Sequence, residues 1–327
     1  MKKFLTINYI FSLAVLFGMG ILYDKFKSKV KSNNDIEQYD VVKKFLLNES
    51  LGYKANKPIM WIHIVYDINS RWWPSFESRN NDCLNQPYQY LTIKSIIDKC
   101  GEDFNVCLID DDTFAKLMPN WRIDMRVVAD PIRSKLRQLA LAKLLYTFGG
   151  FVLPSSFLCF HNLKSVYDTG TDFGTKMFVG ELADRTTTSS QVNFFPNTKF
   201  MGCAKDCALM REYIAFLEPL ISTDYTNESD FLGAYGHWCY KKITAPQSEM
   251  NVITAEQLGV QDNQGKQITI ETLIGNTFIE LSPKALGLYI PADEILRRTA
   301  FQWFARLSAK QALESDTMIG KHLLISR

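Results

Sequence analysis

The stretch FLTINYIFSLAVLFGMGILY, Phe4 to Tyr23, runs for twenty residues without a charge and constrains this chain more than any other feature. At a rise of about 1.5 Å per residue, a helix of that length measures about 30 Å, the thickness of a bilayer's hydrocarbon core. A helix inside a water-soluble domain normally keeps one polar stripe, and this run has no charged residue to form one. Residues 1–23 are therefore expected to form a membrane-spanning anchor. Lys2 and Lys3 precede the run, and Lys25, Lys27, Lys29 and Lys31 follow it. Gly18-Met19-Gly20 offers the small-x-small pattern of a cleaved signal peptide. Ile21-Leu22-Tyr23 extends the apolar run past that point, which favours a retained anchor. The basic excess after the run favours a cytosolic main domain. The sequons Asn48-Glu49-Ser50 and Asn227-Glu228-Ser229 suit a luminal one. Both orientations stay open.

Residues 24–57 are lysine-rich and polar and read as a stem, which leaves 58–327 as one domain of ample size for a core. It opens with IMWIHIVYD, a nearly continuous apolar run of the kind found in strands buried on both faces. A helix over Tyr88–Lys99 stops at Gly101. A second strand over 104–109 leads into Asp110-Asp111-Asp112 and a short helix reaching Met118. The longest helix is predicted from Pro131 to Phe148, with Asp130 as its N-cap and Leu136, Leu139, Ala140 and Leu144 on one face. Gly149-Gly150 ends it, and Phe151-Val152-Leu153 forms a third strand. Further strands are expected at 177–179 and 192–195, with helices at 206–217, 231–241 and 292–307. Alternating strands and helices predict an α/β fold with a mostly parallel sheet.

Charge excludes some functions. With 37 basic and 35 acidic residues there is no global field for nucleic acid. Seven cysteines at sparse spacing do not make a disulfide framework. Cys203, Cys207, His237 and Cys239 suggest zinc by residue type, but their spacing fits no familiar pattern. The four histidines include no pair at metal-ligand spacing, and no P-loop, dinucleotide fingerprint or serine elbow is present.

The segment ADPIRSKLRQLALAKLLYTFGGFVLPSSFLCFHNL, residues 129–163, resembles glycosyltransferases with a sugar-binding region containing the Asp-x-Asp motif. In that family a helix ends in a Gly-Gly turn and a short apolar strand delivers two aspartates. The opening strand with His63 and the segment Leu108-Ile109-Asp110-Asp111 are similar too, so the resemblance covers about residues 58–163. It implies a GT-A-like, Rossmann-like mixed sheet flanked by helices, and a nucleotide-sugar donor with a glycan acceptor. In such enzymes the two carboxylates hold a divalent ion that neutralises the diphosphate leaving group. Here the two positions are Pro154 and Ser156, neither of which anchors a hard cation. No metal is therefore expected. The family's Asp and Arg, eleven and eight residues before the first Gly, are replaced by Gln138 and Leu141.

The resemblance then leaves the donor to other groups: Asp130, Arg133 and Arg137 on the helix, Gly149 and Gly150 at the turn, and Ser155 and Ser156 after the strand. Arg71, beside Trp72 and Trp73 after the first strand, is the further binding candidate. Asp110-Asp111-Asp112 contains an Asp-x-Asp, but its place at a strand-to-helix junction reads as capping. Glu181 and Asp184 are candidate bases without a feature that selects them. The chain also looks like uncharacterised membrane proteins of large DNA viruses, through Pro154-Ser155-Ser156-Phe157 and the YIPADEILRR…WFARLS segment at Tyr289–Ser308. Two functions are thus expected: a membrane-anchored transferase that dispenses with metal, or an inactive descendant. The latter would serve as a sugar-binding, structural or assembly protein with protein partners in an endomembrane or virion membrane.

Overall fold

The structure, a computed structural model, describes residues 57–65, 86–118, 120–183, 192–223 and 228–326. The Phe4–Tyr23 run, the stem up to residue 56, Arg71-Trp72-Trp73 and Asp184 lie outside the described residues. Among those described, no helix is long and apolar enough to cross a membrane.

The fold is mixed α/β. The strands are β1 (Ile59–His63), β2 (Asn105–Ile109), β3 (Gly150–Pro154), β4 (Phe157–Cys159), β5 (Met177–Ala183), β6 (Phe194–Cys203), β7 (Met250–Ile253) and β8 (Gly287–Tyr289). The main sheet runs β2-β1-β3-β6-β5-β7, and its neighbours are parallel except where β6 pairs with β3 and β5. The pleat explains the unbroken apolar runs. Met60 and Ile62 of β1, with Phe151 and Leu153 of β3, enter the core on one face. Ile59, Trp61 and Val152 enter the core on the other.

Helices cover both faces. Helix α1 (Gln89–Cys100) places Ile93 and Ile96 on the first core. After the short α2 (Thr113–Leu117), α3 (Ile132–Phe148) buries Leu136, Leu139, Leu144 and Leu145 in the second, beside α5 (Ala208–Ser222). Each of those leucines contributes about 1.5–3 kcal/mol by leaving water. Helix α4 (Lys164–Gly170) and α6 (Glu228–Ile243) complete the layers.

The turn after α3 needs glycine for packing. Gly149 and Gly150 have φ of 70° and 112°. A Cβ on Gly150 would stand 2.2 Å from the Ile59 carbonyl oxygen. Trp61 Nε1 donates to the Gly149 carbonyl at 3.0 Å and fastens the turn to β1.

The C-terminal part differs most from expectation. Strand β8 pairs with β4 in a second, two-stranded antiparallel sheet. Around it lie α7 (Ile270–Ile274), α8 (Ala292–Arg297), α9 (Gln302–Ala305), α10 (Ala309–Glu314) and α11 (Met318–Ile325), sharing a third core. The single helix expected over 292–307 is two. Arg298 leaves helical geometry at φ −96° and ψ 110°, and Gln302 Nε2 donates to the Leu296 carbonyl at 2.7 Å, replacing a helical bond. Strand β6 reaches Cys203, well beyond the predicted 192–195.

Candidate functional site

Strands β1, β2 and β3 end side by side, and ligands of open α/β sheets bind at such carboxyl ends. A cleft of about 680 Å³ lies there, with His63, Pro154, Ser155 and Ser156 among the residues lining it. Helix α3 and the turn before it supply Asp130, Ser134, Lys135, Arg137, Gln138 and Leu141; β6 supplies Thr198 and Lys199. Gln86, Gln89, Tyr289 and Asp293 complete the polar lining, with Tyr235 from α6.

At the ends of β1 and β2 three side chains form one network. Arg137 Nε donates to Asp111 Oδ1 at 2.9 Å and Arg137 Nη2 to Oδ2 at 2.6 Å. His63 Nε2 lies 2.9 Å from the same Oδ1, and its ring stacks on Phe114. Burial alone would raise the Asp111 pKa. Hydrogen bonds and charge from His63 and Arg137 outweigh it and hold the carboxyl well below the usual carboxylate range. Side-chain exposures of 10% for His63, 21% for Asp111 and 9% for Arg137 mark the network as largely dry.

The acidic triplet thus divides its roles. Asp110 accepts from the amide of Thr113, the first residue of α2, at 2.9 Å and from its hydroxyl at 2.6 Å, while Asp112, the N-cap residue itself, makes no side-chain capping bond. Asp111 does not cap; it holds Arg137, a partner 26 positions away that no local pattern announces.

A second polar group spans β6 and the C-terminal part. Lys199 Nζ donates to both Asp293 oxygens, at 3.0 and 2.8 Å, and to the Tyr289 hydroxyl at 3.0 Å. Burial would lower the Lys199 pKa, but Asp293 and Tyr289 raise it. Burial also pushes the Tyr289 phenol up to about 12. The Lys199 and Asp293 side chains are 40% and 46% exposed, so their pairing contributes about 1 kcal/mol at most.

The predicted binding residues separate. Asp130, Arg137, Ser155 and Ser156 line the cleft together, while Arg71 is outside the described residues. Arg133 Nη2 donates to Asp130 at 3.1 Å, and the other Asp130 oxygen accepts from the Ser134 amide at 3.2 Å and hydroxyl at 2.5 Å. Gly149 and Gly150 are not among the lining residues; they stand at the opposite end of β3, about 13 Å away at ~3.3 Å per residue. Their close approach is to β1 rather than to a donor. The Ser156 hydroxyl donates to the Ile290 carbonyl at 2.6 Å, so its proton is not offered to a phosphate. Ser155 Oγ lies 3.1 Å from Gln89 Oε1 and donates to it. Gln138 and Leu141 line the cleft, and Gln138 donates to Thr198 and, at 2.9 Å, to the Tyr213 hydroxyl. Lys199, Tyr289, Asp293 and Gln86 were missed by sequence reading.

Other candidates belong to the framework. Glu181 accepts from the Ala255 amide at 3.1 Å. Cys203 and Cys239 are fully buried. Cys207 precedes α5, where a hydrogen bond from Cys203, opposed by burial and helped by the Leu209 and Met210 amides, lowers it to about 6. No group of three histidine, cysteine or acidic side chains that could hold a metal ion is found among the described residues. No family model, curated protein or solved structure matches this chain.

Proposed function

We propose that the chain is a membrane-anchored, glycosyltransferase-like protein whose cleft binds a nucleotide sugar without the usual acidic metal site. One observation carries this reading. The Pro154–Ser156 segment, which takes the place of the family's Asp-x-Asp motif, lines the 680 Å³ cleft at the carboxyl ends of β1 and β3. In this reading the diphosphate lies against Lys135 and Arg137 of α3, whose fixed cations take over the neutralising role of a metal. Transfer would join an acceptor hydroxyl to the sugar's anomeric carbon and release the nucleoside diphosphate. The GT-A-like form of the sheet and the single-pass anchor through residues 4–23 are parts of the same proposal.

A specific observation favours the second reading, a fold kept for binding or assembly. The Arg137, Lys199 and Ser156 side chains are already engaged by Asp111, Asp293 and the Ile290 carbonyl. A thermal-shift screen of the full chain against UDP- and GDP-sugars, with and without Mn²⁺, separates the two. A shift in both conditions, followed by product formation with an oligosaccharide acceptor, supports the transferase. A shift without turnover supports the binding protein, and no shift in either condition overturns both nucleotide-sugar readings.

A further inference from the structure

Two buried residues that line the cleft keep a hydrogen-bonding capacity that nothing among the described residues meets. Gln86 is 3% exposed, and its Nε2 donates to the Ala292 carbonyl at 3.0 Å. Only the NH₂ of the amide can serve that carbonyl, so Oε1 is fixed as the remaining atom, and nothing among the described residues donates to it. Tyr289 is 8% exposed, and its hydroxyl accepts from Lys199. No described group accepts the phenol's own proton. Buried polar groups are normally satisfied, so an orphan acceptor and an orphan donor in one cleft point to a ligand. The Asp293 carboxylate lines the same cleft and leaves lone pairs beyond those that Lys199 occupies.

We infer that Gln86, Tyr289 and Asp293 form a hydroxyl-recognition subsite that takes the polyol part of a ligand and rejects its phosphates. A phosphate brings acceptors, and it would face the Gln86 oxygen and the Asp293 carboxylate acceptor to acceptor. Lys199 does not change this balance, because its three N–H groups are directed at Asp293 and Tyr289. A sugar hydroxyl carries both a donor and an acceptor. It gives its proton to Gln86 or Asp293, and a neighbouring ring oxygen or hydroxyl accepts from Tyr289. Burial holds the Tyr289 proton in place up to about pH 12, so the donor is present throughout the neutral range. The cleft is then polarised, with cations on α3 at one part and this acceptor-rich group at another. This deepens the nucleotide-sugar reading and rests on it for the identity of the whole ligand.

The test is calorimetric titration of the full chain in detergent with three probe sets: UDP-glucose, UDP-galactose and GDP-mannose; bare UDP and GDP; and free glucose, galactose and mannose. Tyr289→Phe removes the phenol's proton together with the acceptor of one Lys199 N–H, and Gln86→Leu removes the amide together with its bond to the Ala292 carbonyl, so thermal midpoints serve as the folding control. Each variant is expected to weaken the sugar-bearing ligands about tenfold, the effect of one lost hydrogen bond, and to leave bare nucleotides within about twofold. Equal weakening of bare nucleotides, or no effect on sugar-bearing ones, overturns the subsite and leaves the nucleotide-sugar reading standing. Free sugar that binds wild type and is lost in the variants, with no nucleotide bound, upholds the subsite and overturns the transferase. Failure of wild type to bind sugar in any form overturns both.

Discussion

Arg137 and Asp111 meet in a two-pronged contact, Nε to Oδ1 at 2.9 Å and Nη2 to Oδ2 at 2.6 Å, with Arg137 only 9% exposed. The contact ties α3 to the end of β2 just where the cleft opens. Removing one partner would strand the other's charge in a largely dry site. Arg137→Leu is therefore expected to destabilise the domain by about 3–5 kcal/mol, measured by chemical denaturation. Arg137→Leu combined with Asp111→Leu should recover part of that loss, because no uncompensated charge remains.

The same network sets an acid limit. Asp111 has a depressed folded pKa, so its contribution is complete above the ordinary carboxylate value of 3.8 and is lost as pH falls below it toward the folded value. The stability difference between wild type and Asp111→Asn should be constant near neutrality and shrink below about pH 4. Denaturation curves at a series of pH values check this; a difference that shrinks above pH 5 contradicts it.

Gly150 separates packing from binding. Its φ of 112° and the 2.2 Å approach to the Ile59 carbonyl make Gly150→Ala unfavourable before any ligand is considered. The backbone strain alone is about 1–3 kcal/mol, with displacement of β1 added to it. Loss of thermal stability is expected; loss of ligand affinity at unchanged stability would instead place the turn against the donor.

Ser156 should behave as a structural residue. Its hydroxyl joins the β3–β4 turn to the Ile290 carbonyl at 2.6 Å. Ser156→Ala is expected to cost about 0.5–1.5 kcal/mol, the worth of one hydrogen bond, because the Ile290 carbonyl keeps the Ala292 amide as a donor at 2.9 Å. Any nucleotide sugar that binds should do so within about twofold of wild type.

Much of the frame was legible because it depends on local pattern. The unbroken apolar runs at Ile59–Ile62 and Phe151–Leu153 give strands whose alternate side chains feed two cores, and Gly149-Gly150 stops α3 where the pattern says it should. The site was legible only in part. Arg137, Asp130, Ser155 and Ser156 fell into the cleft because they flank recognisable punctuation. The partnership of His63 with Asp111 spans 48 positions, and that of Lys199 with Asp293 spans 94, so neither leaves a mark in periodicity. Lys199 was hidden further because Pro196-Asn197-Thr198 interrupts the apolar alternation in the middle of β6. The division of Ala292–Leu307 into α8 and α9 turns on Arg298 leaving helical geometry, in a segment with no glycine to signal a break.

Titration calorimetry of the full chain with UDP- and GDP-sugars in excess EDTA, repeated with Mn²⁺, is the most direct measurement. A saturable heat is expected for at least one nucleotide sugar in EDTA, unchanged by the metal and weakened when Lys135 or Arg137 is replaced by a neutral side chain. Binding that requires Mn²⁺, or no binding in either buffer, would contradict that expectation.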